Sequence, residues 1–268
     1  MKQKGLDKLR QGIEDIRRHK IKATVYIIIR VITAAVLVYS LIRGQWENAF
    51  TCVLTLLLLM IPSFVERRLQ IGLPGAMEIL MISFVFAANI MGEISSFYER
   101  IPMLDTVLHT INGFICAGVG FGLTDILNRN RRVKMNLSPL FVVLFSFCFS
   151  MTAGVVWEFF EFSMDFFFAR DMQKDTVIGT VRSSLLSRDG AMTTLQNIKT
   201  TTVNGQPLPI NGYLDIGLLD TMKDLFVNFI GAVVFNVAGF FFLNGRKKHT
   251  GFIKNFIPSK LDNSKTAG

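Results

Sequence analysis

Long apolar runs separated by short polar stretches dominate the chain, and six of them are long enough to cross a bilayer. They cover about Ile21 to Ile42, Ala49 to Val65, Leu73 to Ile94, Leu104 to Leu127, Ser138 to Phe162 and Leu219 to Leu243. The runs are continuously apolar rather than alternating, which argues against a transmembrane β-barrel. The pattern predicts an all-α membrane protein with six transmembrane helices. One long hydrophilic segment, residues 166–219, joins helices five and six. Within it, Asp175 to Ser187 and Leu195 to Val203 are candidate strands, and Asn204-Gly205 is a candidate turn.

The ends of the chain differ from this core. Residues 1–22 place Leu6, Leu9, Ile13 and Ile16 at helical spacing among eight Lys/Arg, as expected for a basic amphipathic segment on an anionic membrane surface. A solvated charged tail is the alternative. Residues 23–243 form the six-helix membrane domain, and residues 244–268 a basic tail. A cleavable signal peptide is not expected, because the opening polar segment is long and basic.

Composition supports the class: half of the 268 residues are hydrophobic, 25 are Phe and 18% are charged. The formal charge of +9 raises nucleic acid as a partner, but its distribution removes that reading. Residues 1–22, 66–72, 128–137 and 244–268 hold eight, two, four and six Lys/Arg, and six spans put all four segments on one side. That is the positive-inside pattern, with both termini cytoplasmic and the long loop extracytoplasmic. Cys52, Cys116 and Cys148 lie inside apolar runs without CxxC spacing and read as small core residues.

Polar residues inside the spans carry the candidate chemistry, because an ionisable group at bilayer depth costs about 2.5–3.5 kcal/mol or more unless it faces a partner or water. Arg30, near the middle of the first span, is expected to face a partner such as a carboxylate. Span five ends in Gly154-Val155-Val156-Trp157-Glu158-Phe159-Phe160-Glu161-Phe162-Ser163-Met164-Asp165, where three carboxylates share one helical face. The topology brings Asp105 and His109 of span four to the same level, with Asp220, Asp224 and Asn228 of span six at steps of four. Glu93 closes span three on that side. Plainer roles exist for each. Asp105, Asp220 and Asp224 can cap helix starts, the last through Thr221-Met222-Lys223-Asp224. His109 can bond a carbonyl, and Glu158 or Glu161 can pair with Arg100 or Lys223. Asp165 can be solvated at the interface. In span four, Gly113, Gly118, Gly120 and Gly122 offer a face for close helix packing.

His109-x₃-Gly113-Phe114, Ser138-Pro139-Leu140, Trp157-Glu158-x₂-Glu161 and Asp220-Thr221-x₂-Asp224-x₃-Asn228-x₂-Gly231 together resemble the YjdF-type family of bacterial inner-membrane proteins. More distantly their order resembles the VanZ-like membrane domains, where a Gln is common at the place of Glu161. The resemblance covers residues 100–240 and implies a bacterial cytoplasmic membrane location. It implies little mechanism, because the YjdF-type family is uncharacterised.

The leading expectation is an outward-facing intramembrane site of His109, Glu158, Glu161 and Asp224, supported by Asp105, Asp220, Asn228 and Gly231. It would bind or act on an envelope lipid or lipid-linked precursor. The four leading residues could also hold a divalent cation such as Mg²⁺, Mn²⁺ or Zn²⁺. Two alternatives stand beside it. An ion- or proton-coupled transporter would show flux in proteoliposomes. A non-catalytic scaffold would depend on its outer loop.

Overall fold

The computed structural model describes residues 2–69, 71–95, 100–101, 103–128, 136–245 and 251–260. Seven α-helices account for the six apolar runs: α1 (Lys2–Ile42), α2 (Trp46–Leu58), α3 (Ile61–Leu69), α4 (Gly75–Phe86), α5 (Leu104–Asn128), α6 (Pro139–Phe168) and α7 (Leu218–Leu243). The membrane-length stretches are Lys20–Ile42, Trp46–Glu66, Gly75–Gly92, Leu104–Asn128, Pro139–Phe168 and Leu218–Leu243. Each matches one expected span.

Four local features depart from the sequence reading. Residues 1–22 are not set off from the first span, because α1 runs unbroken from Lys2 to Ile42. The second span divides into α2 and α3 at a turn over Leu59 and Met60. The third continues from α4 into a π-helix, Ala87–Ile94, where the Asn89 side chain donates to the Val85 carbonyl at 3.0 Å. The fifth helix extends six residues beyond Phe162, to Phe168.

The described residues fall into two units, 1–153 with 227–268 and 154–226. In the first, helices pack through small residues. Ser146 Oγ donates to the Ala117 carbonyl at 2.7 Å and Ser150 Oγ to the Gly113 carbonyl at 2.8 Å, so α5 and α6 run antiparallel here. Asn112 meets Asn228, and Phe121 lies against Gly239, so α5 and α7 run parallel. A Cβ on Gly113 would stand 2.0 Å from the Asn228 carbonyl oxygen, and one on Gly231 1.9 Å from that of Thr110. Only hydrogen fits at either place, and close backbone approach is how helices gain packing energy in lipid.

The expected glycine face is real but serves two kinds of neighbour. Gly113 and Gly120 receive α7 and α6, whereas Gly118 and Gly122 receive Phe256 and Pro258 of the C-terminal segment. That segment forms a 3₁₀ turn, Gly251–Phe256, and buries Ile253 and Ile257 in a core with Ala117, Phe121, Val142, Ala232 and Phe235. Its strand β8 (Ser259–Lys260) pairs antiparallel with β1 (Ile71–Gly72). Residues 251–260 are thus part of the core, where the sequence suggested a basic tail. Their apolar residues at steps of three and four outweigh the surrounding lysines.

The second unit holds the hydrophilic segment, residues 169–217 between the ends of α6 and α7. Three antiparallel strand pairs build it: β2 (Thr176–Ile178) with β7 (Tyr213–Asp215), β3 (Val181–Ser183) with β4 (Thr193–Leu195), and β5 (Thr202–Val203) with β6 (Gln206–Pro207). The candidate strand 175–187 is in fact β2, β3 and a 3₁₀ turn, Ser184–Leu186. Asn204-Gly205 forms the expected hairpin turn, with φ of 52° and 79°, a pairing Asn and Gly tolerate best.

An acidic pocket of charge in this unit gives a pH prediction. Partial burial, followed by the carboxylates of Asp171, Asp165 and Asp215, holds Asp175 above the ordinary carboxylate range. Protonation is therefore easier in the folded segment than in the unfolded one. The segment loses stability as pH rises from the ordinary carboxylate range through the raised value. Asp175→Asn should remove that dependence and slow proteolysis of residues 169–217 at neutral pH; unchanged cleavage would refute it.

Candidate functional site

Within the first unit, the structure brings Asp105 and His109 together. Asp105 lies in the first turn of α5, and its Oδ1 stands 3.4 Å from His109 Nε2 one turn later. One turn further on, Asn112 Nδ2 donates to Asn228 Oδ1 at 3.2 Å. Asn228 Nδ2 in turn reaches the Ser150 carbonyl at 3.4 Å, and its side chain is fully buried. Asn228 therefore links α7 to α5 and α6 through hydrogen bonds of its side-chain amide, as a buried polar group in a membrane bundle must.

Asn112 and Ser150 are the residues that the sequence reading missed. Asn112 had a signal, an amide between His109 and Gly113 inside an apolar run. Ser150 had none, because serine is common at helix interfaces in lipid.

Within the second unit, Glu158 and Glu161 are both buried, and Trp157 Nε1 donates to Glu161 Oε1 at 2.8 Å. Because α6 continues to Phe168, both glutamates sit well inside the helix. The unfavourable macrodipole, which acts within the last turn, falls on Asp165 instead. Asp165 is not merely solvated: it accepts from the backbone amides of Met172 at 2.6 Å and Gln173 at 2.8 Å, fixing the chain's exit from the helix.

Asp220 and Asp224 are joined through Lys223, whose Nζ stands 3.4 Å from Asp220 Oδ1 and 3.6 Å from Asp224 Oδ1. The helix start lies ahead of the expected capping box: α7 begins at Leu218, and the Thr221 amide already bonds the Gly217 carbonyl at 3.0 Å. Asp215 Oδ2 accepts from the Leu219 amide at 2.9 Å, and the Thr221 hydroxyl is engaged by Gln173 Nε2 at 2.5 Å. Asp220 Oδ2 instead accepts from the Lys174 amide at 2.8 Å, tying the segment to the start of α7. Asp224 is fully buried. Glu93's side chain lies outside the described residues.

Chemically, the described residues offer a His/carboxylate pair, a buried amide relay and buried carboxylates on helices that otherwise carry apolar side chains. Imidazole and carboxylate oxygens are donors that suit a hard or borderline divalent cation, and paired carboxylates can exchange a proton.

Comparison with known proteins agrees with the membrane reading. The profile of the family described as predicted membrane protein (DUF2238) matches residues 25–245. A Thermotoga maritima protein described as uncharacterized is 28% identical over 104 residues, which are 39% of this chain and 52% of that protein. The chain therefore spans about half the length of that relative. No solved structure matches.

Proposed function

The chain belongs to the DUF2238 family of predicted membrane proteins, and from that premise we propose that it carries an outward-facing His/carboxylate site for an envelope lipid or lipid-linked precursor. His109, Glu158, Glu161 and Asp224 form the site, with Asp105, Asp220, Asn228 and Gly231 in support.

The observation that carries this reading is the junction of Asn112, Asn228 and Ser150 in the first unit. Helical register does the rest. One turn toward the start of α5 from Gly113 is His109; one turn toward the start of α7 from Asn228 is Asp224. Along the antiparallel α6, two turns beyond Ser150 is Glu158, with Glu161 one turn further. On this reading all three helices carry these groups toward the same end of the bundle, His109 and Asp224 about 6 Å beyond the junction and Glu158 and Glu161 about 12–16 Å beyond it.

A set of this kind serves a polar headgroup in two ways. A divalent cation held by the imidazole and carboxylates would bind a phosphate and polarise it. Without one, a carboxylate pair that shares a proton can act as acid and base. Lys223, placed between Asp220 and Asp224, supplies a counter-charge to either state.

The orientation follows from charge. Both termini are cytoplasmic and the 169–217 segment extracytoplasmic, in a bacterial cytoplasmic membrane, because the Lys/Arg-rich segments fall on one side. The resemblance to YjdF-type proteins, and the order of motifs shared with VanZ-like domains, support that envelope setting.

Native mass spectrometry of the protein in lipid nanodiscs tests the reading. Wild type should retain a lipid or a divalent cation, and Glu161→Gln or Asp224→Asn should lower its occupancy about tenfold or more. Equal masses in wild type and both variants would sink the proposal.

A further inference from the structure

We propose that a groove of about 390 Å³ beside α1, α3 and α4 binds the headgroup of a membrane phospholipid carrying both a phosphate and an amine. Its walls include Lys22, Tyr26, Arg30, Ser63, Glu66 and Glu78, all of the first unit and far in sequence from the His/carboxylate residues.

The charges on these walls are already partly settled. The Lys22 ammonium pairs with Glu78 Oε2, and the Tyr26 hydroxyl donates to Glu78 Oε1 at 2.8 Å. Both oxygens of a carboxylate that is 1% exposed are thereby engaged, and Lys22 and Glu78 neutralise one another. Among the described residues of its walls, one cation, Arg30, and one anion, Glu66, remain to define what the groove prefers.

Arg30 is held but not consumed. Its guanidinium lies over the Tyr26 ring, 5.1 Å from the centroid, so the partner expected from the sequence is an aromatic face rather than a carboxylate. Stacking of this kind uses the face of the guanidinium and leaves its edge donors for a planar acceptor. The flank on which Arg30 stands is apolar and exposed: Ile27 is 62% and Val31 62% exposed, in a span that is mostly uncovered by the rest of the chain. Such a flank faces lipid tails.

Arg30 lies two turns, about 12 Å, further into its helix than Lys22. A guanidinium at that depth extends toward the interface, and the oxyanion that a bilayer supplies there is a lipid phosphate. Glu66, in the last turn of α3, gives the complementary acceptor for a headgroup amine. A headgroup with phosphate and no amine would leave Glu66 repelling its charge, so ethanolamine lipid should be preferred to glycerol lipid.

Thermal unfolding of the full chain in detergent, with phosphatidylethanolamine, phosphatidylglycerol or inorganic phosphate added, tests this. Phosphatidylethanolamine should raise the melting temperature of wild type most. Arg30→Gln should weaken that lipid's apparent affinity about ten- to hundredfold, the loss expected for a charge-assisted contact, while melting as wild type does without lipid. Arg30→Lys should retain a reduced response, which keeps the test informative if the glutamine variant folds poorly. Glu66→Gln should lose the preference for phosphatidylethanolamine over phosphatidylglycerol, which separates this groove from the His/carboxylate site. An unchanged lipid response in Arg30→Gln, or an equal response of wild type to inorganic phosphate, would overturn the proposal.

Discussion

Replacing Gly113 with alanine is expected to destabilise the protein by about 3 kcal/mol, the upper end of what overpacking costs. The added methyl would meet the Asn228 carbonyl oxygen at 2.0 Å. A backbone oxygen cannot rotate away, so α5 and α7 must separate. Separation also lengthens the Asn112–Asn228 bond, leaving buried amides short of partners. Gly231→Ala should cost a similar amount, because its methyl would meet the Thr110 carbonyl oxygen at 1.9 Å. The two losses should not add: once either methyl has parted the helices, the other finds room. Gly75→Ala is the control, since nothing lies within 4 Å of a Cβ there. Chemical unfolding in mild detergent reads all three, and a wild-type curve for Gly113→Ala would contradict the packing described.

Lys22→Met should have an effect of comparable size. Breaking one half of a buried ion pair costs about 3–5 kcal/mol, because the surviving charge keeps its desolvation penalty. Here the lower end is expected, since the Lys22 side chain retains 25% exposure while that of Glu78 retains 2%. Adding Glu78→Gln to Lys22→Met should restore most of the loss. The amide carries no charge and still accepts from the Tyr26 hydroxyl. If the double variant were as unstable as the single one, the ion pair would not be the cause.

The six crossings were legible because a bilayer imposes one requirement, apolar length, that the sequence cannot hide. Boundaries were less so. α6 outlasts its hydropathy because Asp165 gathers the amides of Met172 and Gln173 only after the chain has turned back, a contact seven and eight residues away. Asn228 announced itself as an amide in register with Asp220 and Asp224, and Asn112 as an amide in an apolar run, but their pairing did not, since it spans 116 residues. Arg30 illustrates a different limit. Its cost at depth was readable, whereas an aromatic partner one turn back on its own helix resembles any other interfacial tyrosine. The capping box at Thr221 failed because α7 starts three residues earlier, at Leu218, where Asp215 accepts from the Leu219 amide.

The seat of residues 251–260 against Gly118 and Gly122 has a consequence for how the protein matures. Residues 251–260 are synthesised after all six apolar runs. Until then α5 presents an open notch and β1 an unmatched edge. Assembly therefore ends with a closing step from the aqueous side, and a chain arrested before residue 251 should be inserted yet remain accessible to degradation.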